Sequence, residues 1–120
     1  MTYQKKIGDI GEKIAEDYLV KKGYQVLGRK FITRFGELDL VTLDRDCVVF
    51  IEVKTRTSMT FGTPEGSITP AKLERLEKAG LLWLQANPSS PDDWRIDAIA
   101  ILLDSHQQAE EIRHYYNIFL

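Results

Sequence analysis

The first half of the chain has the hydrophobic pattern of one helix followed by three strands. Apolar residues recur every three or four positions over 4–22, the spacing of a helix that buries one face. Gly23 follows directly, as is typical of a helix C-terminus. Strands are then predicted at 24–31, 37–43 and 47–54. Because the last two are apolar on both faces, we expect them to be central strands that are covered on both sides.

The second half of the chain predicts one helix and one long strand before the tail. A polar loop over 56–68 leads to Thr69-Pro70, a pair that supplies an N-cap and a first-turn proline. The helix is predicted to end before Asn87, and 94–103 is predicted to be a strand. Since a helix separates this strand from 47–54, we expect the two strands to run parallel.

The tail completes the predicted fold. Residues 111–119 are predicted to form an edge strand, with a helix as the alternative because Tyr115 and Tyr116 suit both. The predicted class is α/β, with the order α-β-β-β-α-β-β around a mixed sheet. The chain has 120 residues, of which 43% are hydrophobic, so one compact domain is expected over 1–120.

Composition limits the classes of function. The net charge of −2 argues against a protein that coats nucleic acid without specificity. Basic residues are nevertheless concentrated over 21–34, which carries five lysines and arginines and no acid. Such a run is either a solvated face or a contact for a polyanion. The single Cys47, the lack of a signal-peptide pattern and the short apolar runs predict a soluble, cytoplasmic protein without a membrane span.

Charged residues interrupt the two strands that otherwise have a buried pattern. Glu37 and Asp39 lie in one strand, and Glu52 and Lys54 lie in the next. A turn of two or four residues would place Asp39 opposite Glu52 and Glu37 opposite Lys54, all on one face. A three-residue turn would separate them. Charged residues at positions where the pattern predicts buried apolar ones are concentrated at functional sites.

Opposed carboxylates predict a cation between them. At about 5 Å, two such charges repel by roughly 3 kcal/mol at an effective dielectric constant of 20. Mg²⁺ or Mn²⁺ on Asp39 and Glu52 would offset both charges, with the carbonyl of Val53 as a further ligand. Lys54 would then stabilise developing negative charge, an arrangement that suits hydrolysis of a phosphodiester. The alternative is a ladder of cross-strand ion pairs on a solvated face.

The residues around these acids resemble a known nuclease core. The segments are Gly36-Glu37-Leu38-Asp39-Leu40 and Val49-Phe50-Ile51-Glu52-Val53-Lys54. They look like the metal-binding core of the PD-(D/E)xK nuclease superfamily, which has the restriction-endonuclease-like fold of three layers. More narrowly, the whole chain is similar to the bacterial YraN-like family of uncharacterised proteins. Further segments that carry this similarity are Gly8-Asp9-Ile10-Gly11-Glu12, Gly23-Tyr24, Arg34-Phe35-Gly36, Thr55-Arg56, Phe61-Gly62, Thr69-Pro70 and Arg95-Ile96-Asp97.

The resemblance implies roles for individual residues. Asp39 and Glu52 would be the metal ligands, and Lys54 would be the catalytic lysine. Glu12 would be the first-helix acid that relatives of Holliday-junction resolvases carry. Here Leu38 stands where the superfamily often has proline, and Glu12 lies on the flank of its helix, about 130° from the centre of the apolar stripe.

Residues around this core are candidates for supporting roles. Glu37 either supports the site or pairs with Lys54. The candidates for contacts with nucleic acid are Lys30, Arg34, Arg56, Lys72 and Arg75. The alternative is that these residues are ordinary surface residues that only keep the protein soluble.

Other residues are predicted to serve packing. Trp83 is expected in the core, and Asp97 is expected to pair with Arg95 or with a helix lysine. Phe61 would stack on a base or close over the core. His106 and His114 are expected on the surface.

We therefore expect a metal-dependent endonuclease that acts on DNA, at branched or single-stranded structures. A homodimer or a protein partner would supply the affinity that the acidic charge balance lacks. The alternative is a non-catalytic module that binds nucleic acid or acts as an adaptor on the same fold.

Overall fold

The predicted order of elements is confirmed. The computed structural model describes residues 2–57 and 68–118. Its elements are α1 Tyr3–Lys21, β1 Gln25–Thr33, β2 Gly36–Asp44, β3 Cys47–Arg56, α2 Pro70–Ala86, β4 Asp93–Leu103 and β5 Ala109–Tyr115. The tail is therefore a strand rather than a helix, but it begins and ends earlier than the predicted 111–119. It ends because Asn117 turns the chain with a φ of 51° and donates its backbone N–H to Asp97.

The strands form one mixed sheet in the order β1-β2-β3-β4-β5. The first three strands form an antiparallel meander. β4 lies parallel to β3 after the connection that contains α2, as expected, and β5 adds an antiparallel edge. The central positions of β2, β3 and β4 follow from their apolar sequences, because only covered strands bury both faces.

A helix packs on each face of the sheet, so the fold has three layers. On one face, α1 contributes Ile7, Ala15 and Leu19 to a core that also holds Val49 and Ile51. The other face is covered by α2, which brings residues such as Leu76, Ala79 and Trp83 against Val48 and Phe50. Trp83 is buried there as predicted.

The turn between β2 and β3 has the even length on which the candidate site depends. Asp44 pairs with Cys47, so the turn contains only Arg45 and Asp46. Leu43 consequently lies opposite Val48. The ladder continues to Leu40 and Ile51 and is not paired beyond them.

Helix α1 approaches β3 closely at Gly11. A Cβ atom added to Gly11 would lie 2.8 Å from two carbon atoms of the Thr55 side chain. Glycine at this position therefore sets the distance between α1 and the end of β3. Among the described residues, no helix is long and apolar enough to cross a membrane.

Candidate metal centre

The candidate site lies where β2 and β3 separate. The last paired residues are Leu40 and Ile51. Beyond them, the side chain of Asp39 bonds the backbone of β3. Its Oδ2 accepts a hydrogen bond of 2.8 Å from the backbone N–H of Val53. Because the N–H and C=O of one strand residue point to the same neighbour, the Val53 carbonyl also points toward this gap.

The carboxyl groups of Asp39 and Glu52 meet at this gap. Burial raises the pKa of Asp39 well above its usual range, and the hydrogen bond and charge of Glu52 raise it further. The Val53 N–H opposes this shift without cancelling it. The two carboxyl groups therefore do not share the site as two free anions without a compensating cation.

Glu52 is the most deeply buried acid of the site. Its residue is only 3% exposed, on the face of the sheet that α2 covers. Lys72 in the first turn of α2 places Nζ 3.1 Å from Oε2 as an ion pair. That oxygen has no hydrogen-bond partner among the described residues. Lys72 is also one of the residues predicted to contact nucleic acid, and here it compensates a buried acid.

Glu12 and Glu37 join Asp39 from the other side of the gap. One carboxylate oxygen of each of these three residues lies within 4.8 Å of the others. Lys30 in β1 pairs with Glu12 at 2.9 Å and with Asp9 at 3.2 Å. The backbone of Lys30 has a φ of 49°, an uncommon conformation for a residue with a Cβ atom. Asp39 thus lies between an acid of α1 held by Lys30 and an acid of β3 held by Lys72.

Lys54 does not pair with Glu37 in the β2–β3 ladder, as an unbroken ladder would require. Glu37 pairs with Ile32 of β1, and no β2–β3 pair extends to Lys54. Over residues 2–57 and 68–118, the Lys54 ammonium group has no hydrogen-bond or ion-pair partner. The residue also lines an open cavity of about 640 Å³ beside Val53. Within the described residues, nothing compensates the charge of Lys54.

The basic residues differ in their surroundings. Arg29 makes a two-pronged ion pair with Glu16, with contacts of 2.6 and 2.8 Å. Arg34 stacks on the ring of Phe35 at the β1–β2 turn, and Arg75 is exposed on α2. Arg56 lines the same cavity as Lys54. Arg56 is thus one predicted nucleic-acid contact that shares a cavity with Lys54.

The sequence missed a second polar cluster at the opposite end of α1. Asp97 is fully buried and bonds Arg95, as predicted, but also His114, with Nε2 2.8 Å from Oδ2. The side chain of His114 is only 3% exposed, so its expected surface position is wrong. The available signal was alternation, because His114 follows the inward-facing Ile112 by two residues. Phe61 lies outside the described residues.

These residues fit a divalent cation. Glu52 offers a buried oxygen that faces Lys72 as an ion pair without a hydrogen bond, and burial beside Glu52 raises the pKa of Asp39, a cost that a bound cation would offset. Carboxylate and carbonyl oxygens are the ligands that Mg²⁺ and Mn²⁺ prefer. Asp39, Glu52 and the Val53 carbonyl would hold the ion, with Glu12 and Glu37 within reach of Asp39.

The chain has clear relatives. The family model described as "Uncharacterised protein family UPF0102" matches residues 11–101. The chain belongs to this family. It is 44% identical over 115 residues to a UPF0102 protein of Syntrophomonas wolfei, covering 96% of this chain and 98% of that protein. A UPF0102 protein of Trichlorobacter lovleyi is 42% identical, with 94% and 89% covered.

A third relative is also similar over nearly its whole length. The UPF0102 protein TTE1452 of Caldanaerobacter subterraneus is 36% identical, with 97% of this chain and 96% of that protein covered. UPF0102 is the YraN-like family to which the sequence was compared, so that resemblance is confirmed. The family match includes Glu12, Asp39, Glu52 and Lys54, all of which lie within 11–101. The names of these three relatives state no activity.

Proposed function

We propose that this UPF0102 protein is a metal-dependent endonuclease that hydrolyses phosphodiester bonds in DNA, with branched or single-stranded structures as its substrates. The observation that carries the proposal is the meeting of Asp39 and Glu52 at the gap after the β2–β3 ladder, with the Val53 N–H on one of the acids. The partly exposed Lys54 follows Val53 on the same strand.

Each residue would have a defined task. Bound Mg²⁺ or Mn²⁺ would polarise a phosphoryl oxygen and lower the pKa of a water. Asp39, Glu52 and the Val53 carbonyl would hold the ion, and the Val53 N–H keeps Asp39 in place. Lys54 stabilises the negative charge that develops on the phosphate. A cytoplasmic location is part of the proposal, since the substrate is DNA and Cys47 is a free thiol.

The test replaces each group with a close isostere. D39N, E52Q and K54M should each lower cleavage at least about 100-fold in Mg²⁺ or Mn²⁺. The substrates are single-stranded, duplex, flapped and four-way-junction DNA. D46N, which alters an exposed acid in the β2–β3 turn, is the matched control and should retain full activity. Cleavage by all three site variants at the wild-type rate would overturn the proposal.

A second candidate is a non-catalytic module that binds nucleic acid. It is favoured by the lysines that already compensate the acids, Lys72 at Glu52 and Lys30 at Glu12. Calorimetry with Mn²⁺ separates the two candidates. Binding by the wild type that is lost in the D39N/E52Q double variant supports the nuclease, whereas equal binding by both, or none, supports the module.

A further inference from the structure

Lys72 connects the surface of α2 to a buried oxygen of the candidate metal centre. Its Nζ lies 3.1 Å from Oε2 of Glu52, yet this oxygen accepts no hydrogen bond within the described residues. The Glu52 side chain is 4% exposed, whereas that of Lys72 is 30% exposed. Charge therefore holds the pair together without a directed hydrogen bond, and the lysine side chain keeps access to solvent.

The acid that Lys72 compensates is one that a metal ion would use. A divalent ion on Asp39 and Glu52 would balance both negative charges by itself. It would also lie close to the Lys72 ammonium group, which is 3.1 Å from one of these acids. Like charges a few Å apart repel by more than the thermal energy even in bulk water. Lys72 and a divalent ion are therefore alternative partners of Glu52.

A second cation lies on the same face of the sheet as Glu52. Val53 packs in the core beneath α1, so alternation along β3 places Glu52 and Lys54 on the opposite face. Among the described residues, Lys54 has no hydrogen-bond or ion-pair partner. With a divalent ion on Glu52, neither Lys54 nor Lys72 would have an acid to compensate it. Two such ammonium groups attract an anion, and phosphate is the anion of the proposed substrate.

We propose that Lys72 compensates Glu52 in the metal-free protein, leaves Glu52 when the site takes a divalent ion, and then contacts a phosphate of the nucleic acid together with Lys54. This inference rests on the proposed nuclease function and adds a phosphate contact that depends on the metal. The flexible four-carbon stem of lysine permits such a change of partner.

Calorimetry with Mn²⁺ tests the first step without nucleic acid. K72M removes the competing charge and should bind Mn²⁺ about tenfold more tightly than the wild type. K72R keeps the charge and should gain no affinity. K78M is the matched control, because Lys78 of the same helix pairs with the exposed Glu74 at 3.3 Å, and its affinity should equal that of the wild type. Equal or weaker binding of Mn²⁺ by K72M would overturn the inference.

Chemical labelling of the wild type gives the same answer should K72M fail to fold. Lysines are acylated with an amine-reactive reagent in EDTA and in Mn²⁺, and mass spectrometry compares Lys72 with Lys78. An ammonium group beside a carboxylate keeps its proton and reacts slowly. The ratio of Lys72 to Lys78 labelling should therefore rise in Mn²⁺. A ratio that stays constant or falls would contradict the release of Lys72.

Binding of a labelled single strand of DNA tests the second step. Anisotropy is measured in EDTA and in saturating Ca²⁺, under conditions in which gels show the strand to be intact. K72M should weaken binding about fivefold in Ca²⁺ and leave binding in EDTA unchanged. Any effect of K78M should be the same in both. Equal losses by K72M in EDTA and Ca²⁺, or no loss in Ca²⁺, would overturn the phosphate contact.

The assays distinguish failure of this inference from failure of the proposed function. Tighter Mn²⁺ binding by K72M, together with a wild type that cleaves no DNA, would leave the exchange at Glu52 standing and refute the nuclease. Cleavage that requires Asp39 and Glu52, together with no gain of Mn²⁺ affinity in K72M, would refute only the role of Lys72.

Discussion

The Oδ2 atom of Asp39 lies 2.8 Å from the backbone nitrogen of Val53, the residue between Glu52 and Lys54. This hydrogen bond replaces the β2–β3 ladder, which is not paired beyond Leu40 and Ile51. It fixes an acid of one strand to the backbone of the next at the point where the strands part. The candidate site therefore depends on a break in regular pairing rather than on the pairing itself.

Replacing Asp39 should stabilise the metal-free protein. The folded state raises the pKa of this carboxyl, chiefly by burial, so the charged form is disfavoured above the ordinary pKa of aspartate. D39N keeps an acceptor for the Val53 N–H and removes the charge. We expect a gain of about 1 kcal/mol at pH 7.5, or ~4 °C in Tm. Thermal melts without metal measure it.

The same melts with metal supply the contrast. Excess Mg²⁺ should raise the Tm of the wild type but not that of D39N, because a ligand stabilises only the state that binds it. A D39N protein that melts below the wild type in EDTA would contradict this prediction.

Removing the lysine that faces Glu52 should destabilise the fold. K72M leaves a carboxyl group that is only 3% exposed without its cation, and we expect a loss of about 2 kcal/mol. When E52Q is already present, K72M should lower the free energy of unfolding by almost nothing, because no buried charge is left for Lys72 to compensate. Urea unfolding of the four proteins of this double-mutant cycle measures the coupling. R75M, at an exposed position of the same helix, is the control and should change stability by less than about 0.5 kcal/mol.

Two glycines of α1 should respond oppositely to alanine. The Cβ atom of G11A would meet the Thr55 side chain, so we expect a loss of about 1–3 kcal/mol. G8A has open space, because no atom lies within 4 Å of its added Cβ. It should stabilise the protein by about 0.5–1 kcal/mol through helix propensity. Urea unfolding compares the two variants, and a stable G11A would show that α1 is not held close to β3.

The buried Asp97 should make the protein sensitive to acid. Burial opposes its charge, but His114, Arg95 and the Asn117 N–H together hold its pKa below the usual range. Its stabilising charge is therefore complete above the unfolded pKa of about 3.9 and is lost as the pH falls through the lower folded value. D97N should cost about 3 kcal/mol at pH 7 and progressively less below pH 4.

Urea midpoints of D97N and the wild type between pH 3 and 7 measure this difference. D104N is the comparison, since Asp104 is a partly exposed aspartate whose pKa is also lowered, by the backbone N–H groups of Gln108 and His106. A difference between D97N and the wild type that does not change with pH would contradict the linkage.

Local pattern was sufficient for the elements because each signal is short-ranged. The spacing over 4–22, the Thr69-Pro70 start and the alternation of the strands depend on neighbours within a few residues. The same applies to the nuclease-like segments around Asp39 and Glu52. Two local features were left open. The β2–β3 turn has two residues, and the tail is a strand.

The partners of the charged side chains required the tertiary structure. Lys30 and Lys72 had the pattern of surface cations, yet they compensate Glu12 and Glu52 from elements far away in the chain. His114 had the pattern of a surface residue and lies buried against Asp97.

The amino-acid sequence by itself determined the helices, the strands, their order and which acids interrupt the buried strands, because spacing and residue type act locally. Only the tertiary structure decided where the β2–β3 ladder ends and which lysine faces which acid. Those relationships depend on the distance between α1, α2 and the sheet. That distance is set by packing, as at Gly11 against Thr55, and no local pattern encodes it.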